Sequence, residues 1–348
     1  MVKKEYRLIQ FDLLRIFCIF SVVILHVAAN QIRNVPVDSY SWHVFNAFDS
    51  AVRFAVPVFV MISGVFFLNP QKKISLKDLY RKYIYRIIIA FLIFSVAYGI
   101  ITTATAYEQF SFGMVKIFIK KIIKGHYHLW YMYLIVGLYM VTPILKKITA
   151  DKKITEYFLL LCLVFGCIIP FLDDLKILSY LINNIKRLQI YMPVGYIGYY
   201  VLGYYIHTYI RISKKSFPIL FYLIGAVITA VSTWVASMGN NVISVIFYEE
   251  YAPGVLLMSL SVFIFFQQFL QCPNCSDKTY QRIRFLSRHA FTVYLVHVFG
   301  IMILNGFGLT TLSFNAILAV PVLSLVVYLF SLLLSVMLSK IPYLKKIL

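Results

Sequence analysis

Ten stretches of mostly apolar residues, at about 11–29, 46–68, 84–106, 129–145, 154–172, 190–209, 217–237, 252–270, 289–308 and 316–338, leave this chain few ways to fold. Each is long enough to cross the hydrocarbon of a bilayer. No water there can satisfy backbone N–H and C=O groups, so each stretch must satisfy them internally. Helices do this, and the chain is expected to be an all-α, polytopic transmembrane helix bundle of about 10 spans. Composition agrees, with 61% hydrophobic and only 13% charged residues among 348. The segments between spans are short, so one integral-membrane domain, 1–348, with no appended soluble domain is expected.

The 33 lysines and arginines set the orientation. Most fall in six segments: Lys3, Lys4 and Arg7; Lys72, Lys73, Lys77, Arg81, Lys82 and Arg86; Lys146, Lys147, Lys152 and Lys153; Arg211, Lys214 and Lys215; Lys278, Arg282, Arg284 and Arg288; Lys340, Lys345 and Lys346. An N-in, C-in topology puts all six in the cytosol, as the positive-inside rule requires. The formal charge of +20 is thereby explained without a nucleic-acid partner, and no nucleic-acid motif joins it. The first span carries charge and lacks a small-residue cleavage site, so it reads as an uncleaved anchor. Outside, Lys116, Lys120 and Lys124 recur at helical spacing among Phe118, Ile119, Ile122 and Ile123. That pattern predicts a short helix lying on the outer surface, against anionic lipid headgroups or an anionic lipid-linked substrate. Cys18, Cys162 and Cys167 sit inside spans as small hydrophobes, while Cys272 and Cys275 have ligand spacing but no second pair or nearby histidine, so no metal is expected.

Charge inside a bilayer is costly and marks places where it works or is paired. The first span holds Asp12, Arg15 and His26. Arg15 and His26, eleven residues apart, return to within about 20° of one helix face while climbing about 16 Å. Asp12 is a local partner for Arg15. Counted from the outer ends of their spans, His26 and Asp49 lie at similar depth on consecutive helices. There a carboxylate can hold one imidazole nitrogen and leave the other free as a base. Asp49 can equally pair with Arg53, four residues on. His297 lies near mid-membrane, and Pro57, Ser63 and Gly64 predict a kinked second helix packed closely beside the first.

These residues carry a resemblance. FDLLR followed after ten residues by His26, then PVFVMISG, RKYIYR, HLWYMYLIVGLYMVTPIL and FTVYLVH, in that order, resemble the membrane-bound acyltransferase family 3, which modifies bacterial cell-envelope carbohydrates. The resemblance implies acetyl-CoA as acyl donor from the cytosol and an envelope or lipid-linked carbohydrate acceptor outside, in the bacterial cytoplasmic membrane. His26 would be the catalytic histidine and Arg15 its motif partner, while Asp49 is the catalytic partner that the depth argument offers. The family often has Arg-x-x-Arg before the third span. Here Tyr83 stands three residues before Arg86, so Arg81 and Lys82 would join Arg86 as donor-phosphate contacts. Asp12, Arg53, His297 and Trp130 are further candidates. Expected partners are membrane lipids, the carbohydrate and, in a homo-oligomer, a second copy. Some proteins resembling this family are assigned to polysaccharide export, which is the alternative.

Overall fold

The computed structural model describes residues 9–104, 112–177, 182, 194–239, 241–271 and 276–348. Lys3, Lys4, Arg7, Cys272 and Cys275 therefore lie outside the described residues. Among the described residues, every regular element is helical and nine helical stretches are long and apolar enough to cross a membrane. The tenth predicted span, 190–209, is represented by helix Val194–Tyr209.

Contacts cluster into two compact units. One comprises Met1–Asn69 and Ile148–Ser335, the other Pro70–Lys147 and Val336–Leu348. In chain order the helices are α1 (Ile9–Ala29), α2 (Tyr40–Val52), α3 (Ala55–Phe67), α4 (Tyr85–Ala104), α5 (Phe112–Lys124), α6 (Trp130–Ile148), α7 (Lys152–Leu163) and α8 (Ile169–Asp174). They continue with α9 (Val194–Tyr209), α10 (Ser216–Met238), α11 (Pro253–Phe269), α12 (Asp277–Gly306), α13 (Ala316–Leu338) and α14 (Pro342–Ile347).

In the larger unit, local chemistry sets several helix ends. Ser39 caps α2 by accepting the Trp42 amide at 3.2 Å, so this helix starts six residues before the apolar stretch that marks it in the sequence. The predicted kink lies between α2 and α3. Pro57 has no N–H to give the carbonyl of Arg53 four residues back, and the helix is interrupted at Arg53 and Phe54. Gly64 does mark a close approach, but its neighbour is α9, not α1. A Cβ on Gly64 would stand 1.8 Å from the Tyr200 carbonyl oxygen, and one on Gly203 would stand 2.2 Å from that of Met61. Only glycine lets these two backbones touch.

The pairing of α1 with α12 positions the site. Ser287 Oγ donates to Asp12 Oδ1 at 2.6 Å near one end, and Asn30 Nδ2 donates to Asn305 Oδ1 at 3.0 Å near the other. Both bonds join residues 275 apart, so the helices run in the same direction in a single register. Val23 and Val27 of α1 pack with Ile301 of α12 and with Leu323 and Val327 of α13.

In the smaller unit, α5 packs against α4. Phe118 and Ile122 close on Gly99, and Lys121 Nζ donates to the Thr102 carbonyl at 2.9 Å. Gly125, at φ +73°, makes the turn toward α6. Lys116, Lys120 and Lys124 remain exposed, as their spacing predicts.

Candidate functional site

Near its N-terminus α1 holds a charge pair. Arg15 Nη1 donates to Asp12 Oδ1 at 3.0 Å, the carboxylate being 1% exposed and the guanidinium 24%. The same oxygen accepts from Ser287, and the guanidinium also lies over the Phe66 ring at 4.9 Å. Arg15 is thus held directly from α1 and α3, and through Asp12 from α12, while staying partly accessible. The local pairing of Asp12 with Arg15 is as the sequence predicts.

About 16 Å further along α1 by helical rise, His26 meets His297 of α12. Their ring centroids are 5.0 Å apart and their planes 30° from parallel. His297 is fully buried and His26 only partly, so His26 is the ring a substrate can touch. His297 Nδ1 stands 2.7 Å from the Tyr294 carbonyl oxygen. A carbonyl only accepts, so Nδ1 carries the hydrogen, and Nε2 of the neutral ring carries the lone pair. The two rings are packed together, one imidazole partly accessible and the other fixed in orientation behind it.

Asp49 is at the right depth. Phe11 and Phe66 touch near the N-terminal end of α1 and the C-terminal end of α3, with centroids 5.6 Å apart. Counted from that contact, His26 stands about 22 Å and Asp49 about 26 Å up their helices. Yet the carboxylate is engaged by Arg53 Nη2 at 2.6 Å, and the ring beside His26 is His297. Arg53 also lies over the Tyr248 ring at 3.8 Å, and Tyr248 Oη donates to Asn46 Oδ1 at 2.6 Å. Asp49 Oδ1 and Arg53 Nε find no hydrogen-bond partner among the described residues.

The remaining candidates belong to the smaller unit. Arg81 and Lys82 lie exposed on a π-helical turn, Leu79–Ile84, with Lys82 Nζ 3.0 Å from Asp78. Arg86 donates to the carbonyls of Ile347 and Leu348. Trp130 is exposed at the start of α6. No group of three or more His, Cys, Asp or Glu suited to a metal ion occurs among the described residues.

Sequence reasoning missed Ser287, Tyr248 and the adjacent Glu249 and Glu250. A serine or tyrosine in an apolar segment carries no signal. The two glutamates did: an acidic pair immediately before a span is costly charge at a membrane boundary.

A family model described as an acyltransferase domain, Acyl_transf_3, matches residues 8–339, which take in both units. None of the curated proteins and none of the solved structures compared matches the chain.

Proposed function

Because the chain belongs to membrane acyltransferase family 3, we propose that this membrane acyltransferase moves an acetyl or other acyl group from cytosolic acetyl-CoA to a hydroxyl of a cell-envelope or lipid-linked saccharide. Its setting would be the bacterial cytoplasmic membrane. The observation that carries the reading is the pairing of a partly accessible His26 with a buried, oriented His297.

Acyl transfer needs the acceptor hydroxyl deprotonated as its oxygen attacks the thioester carbonyl. As a base, His26 takes that proton while the C–S bond breaks, and the departing CoA sulfur recovers it. As a carrier, a His26 ring nitrogen attacks first, CoA leaves, and the acceptor oxygen then takes the acyl group from the imidazole. In either form His297 supports the ring that must gain and lose a proton. Arg15 would offer positive charge to the donor. Arg81 and Lys82 are the more available contacts for the CoA phosphates, since Arg86 is engaged by two carbonyls.

Purified protein given labelled acetyl-CoA and envelope glycan should release CoA and label the glycan, and His26→Ala should abolish both. In a deletion strain, mass spectrometry should show glycans lacking the acetyl increment. Glycan that keeps its acyl groups but accumulates inside the cell would favour the exporter reading instead.

A further inference from the structure

A groove of about 330 Å³ opens on the larger unit, within the size range of ligand sites. Its walls include Leu159 and Leu163 of α7, Cys167 of the following π-helical turn, Gly198 and Leu202 of α9, and Leu260 of α11. Leu160 and Leu163 are 55% and 40% exposed on a membrane-spanning helix, so the opening faces lipid. A trough lined this way is a poor place for water and a good one for hydrocarbon.

Its height is fixed by contacts at the cytosolic end. Tyr205 Oη donates to Glu156 at 2.7 Å, and the Lys152 ammonium lies 5.2 Å from the Tyr209 ring. From Tyr209, Leu202 stands about 10 Å up α9 and Gly195 about 21 Å, so the groove occupies the middle and outer parts of a bilayer core about 30 Å thick.

The outer end changes character. A Cβ on Gly195 would stand 3.0 Å from Glu250 Oε1, so this carboxylate lies beside the groove. Tyr199, which lines the groove, donates through its hydroxyl to the Glu250 carbonyl at 2.7 Å. Tyr251 donates to Asp174. Glu250 stands at this end, with Glu249 before it in the chain and Asp174 bonded to Tyr251 after it, so the end is rich in carboxyl groups. Such an end repels a phosphate headgroup and accepts hydrogen bonds from hydroxyls.

We infer that this groove seats one hydrocarbon chain of a lipid-anchored acceptor, entering sideways from the membrane, with an uncharged sugar headgroup against Glu249 and Glu250. The inference rests on the acyl-transfer reading for the word acceptor, but the groove and its occupant are tested without turnover. A glycolipid carrying a photoactivatable diazirine in its chain is irradiated with the full-length protein in nanodiscs, and the adduct is mapped by mass spectrometry. Phosphatidylglycerol with the same chain serves as the comparison. The glycolipid should label residues 159–167, 195–202 and 256–260 at least tenfold above other lipid-facing helices. Phosphatidylglycerol should label them at least tenfold less, and Leu163→Trp, which fills the opening from its exposed side, should remove the enrichment. Labelling should persist in His26→Ala protein. Equal labelling by both lipids, labelling spread evenly over α10 and α13, or no effect of Leu163→Trp would each overturn the inference. Wild-type protein that labels as expected but never releases CoA would overturn the acyl-transfer reading alone.

Discussion

Asp12–Arg15 and Asp49–Arg53 are one chemical device used twice in the same unit, with unequal support. Both carboxylates are 1% exposed and the arginines are 24% and 21% exposed. Asp12 is bonded a second time, by Ser287, and that bond helps to set the register of α1 against α12. Asp49 has one oxygen on Arg53 and the other without a partner among the described residues, while Arg53 leans on Tyr248. The first pair is braced through its acid by Ser287 and through its base by Phe66, the second through its base alone. One therefore governs how His26 meets His297, and the other governs how the segment around Tyr248 and Glu249 sits against the break between α2 and α3.

Removing the arginine should separate the two pairs most clearly. Arg53→Ala leaves Asp49 buried with no cation, a loss of about 3–5 kcal/mol, read as a fall in the thermal midpoint of the purified protein. Arg15→Ala should cost less, about 2–3 kcal/mol, because Ser287 still hydrogen-bonds Asp12, but it should reduce acetyl-CoA turnover more than Arg53→Ala does. Equal stability losses would erase the distinction.

Ser287→Ala sharpens the first half of the comparison. It removes one hydrogen bond to a charged group, about 1.5–2 kcal/mol, and loosens the α1–α12 register, so kcat should fall with little change in KM. The smallest effect belongs to Arg53→Lys. It keeps the charge on Asp49 but loses the flat stack on Tyr248, a change of about 0.5–1 kcal/mol. A larger loss there would mean that guanidinium geometry, not charge, holds the segment.

Much of this was readable from the residues alone, and the reasons are physical. Asp12, Arg15 and His26 stand out because charge in an apolar run is expensive, and the Asp12–Arg15 pair follows from helical spacing. The break at Arg53 follows from Pro57. The meeting of His26 with His297 was hidden, since it depends on which helix lies beside α1 and in what register, and that register is held by a serine and two asparagines of no distinctive type. Gly64 announced a close contact without naming α9. Asp49 matched His26 in depth, but depth is one coordinate of three, and the carboxylate turns to the nearer Arg53.

The proposed chemistry of the histidine pair is tested most directly by CoA release from labelled acetyl-CoA, followed across pH in wild type, His26→Ala, His297→Gln and the double variant. Acyl transfer through His26 predicts no turnover in His26→Ala and a double variant no worse than that single change. His297→Gln should turn over about a hundredfold more slowly with a displaced pH profile. Wild-type turnover in His26→Ala would contradict it.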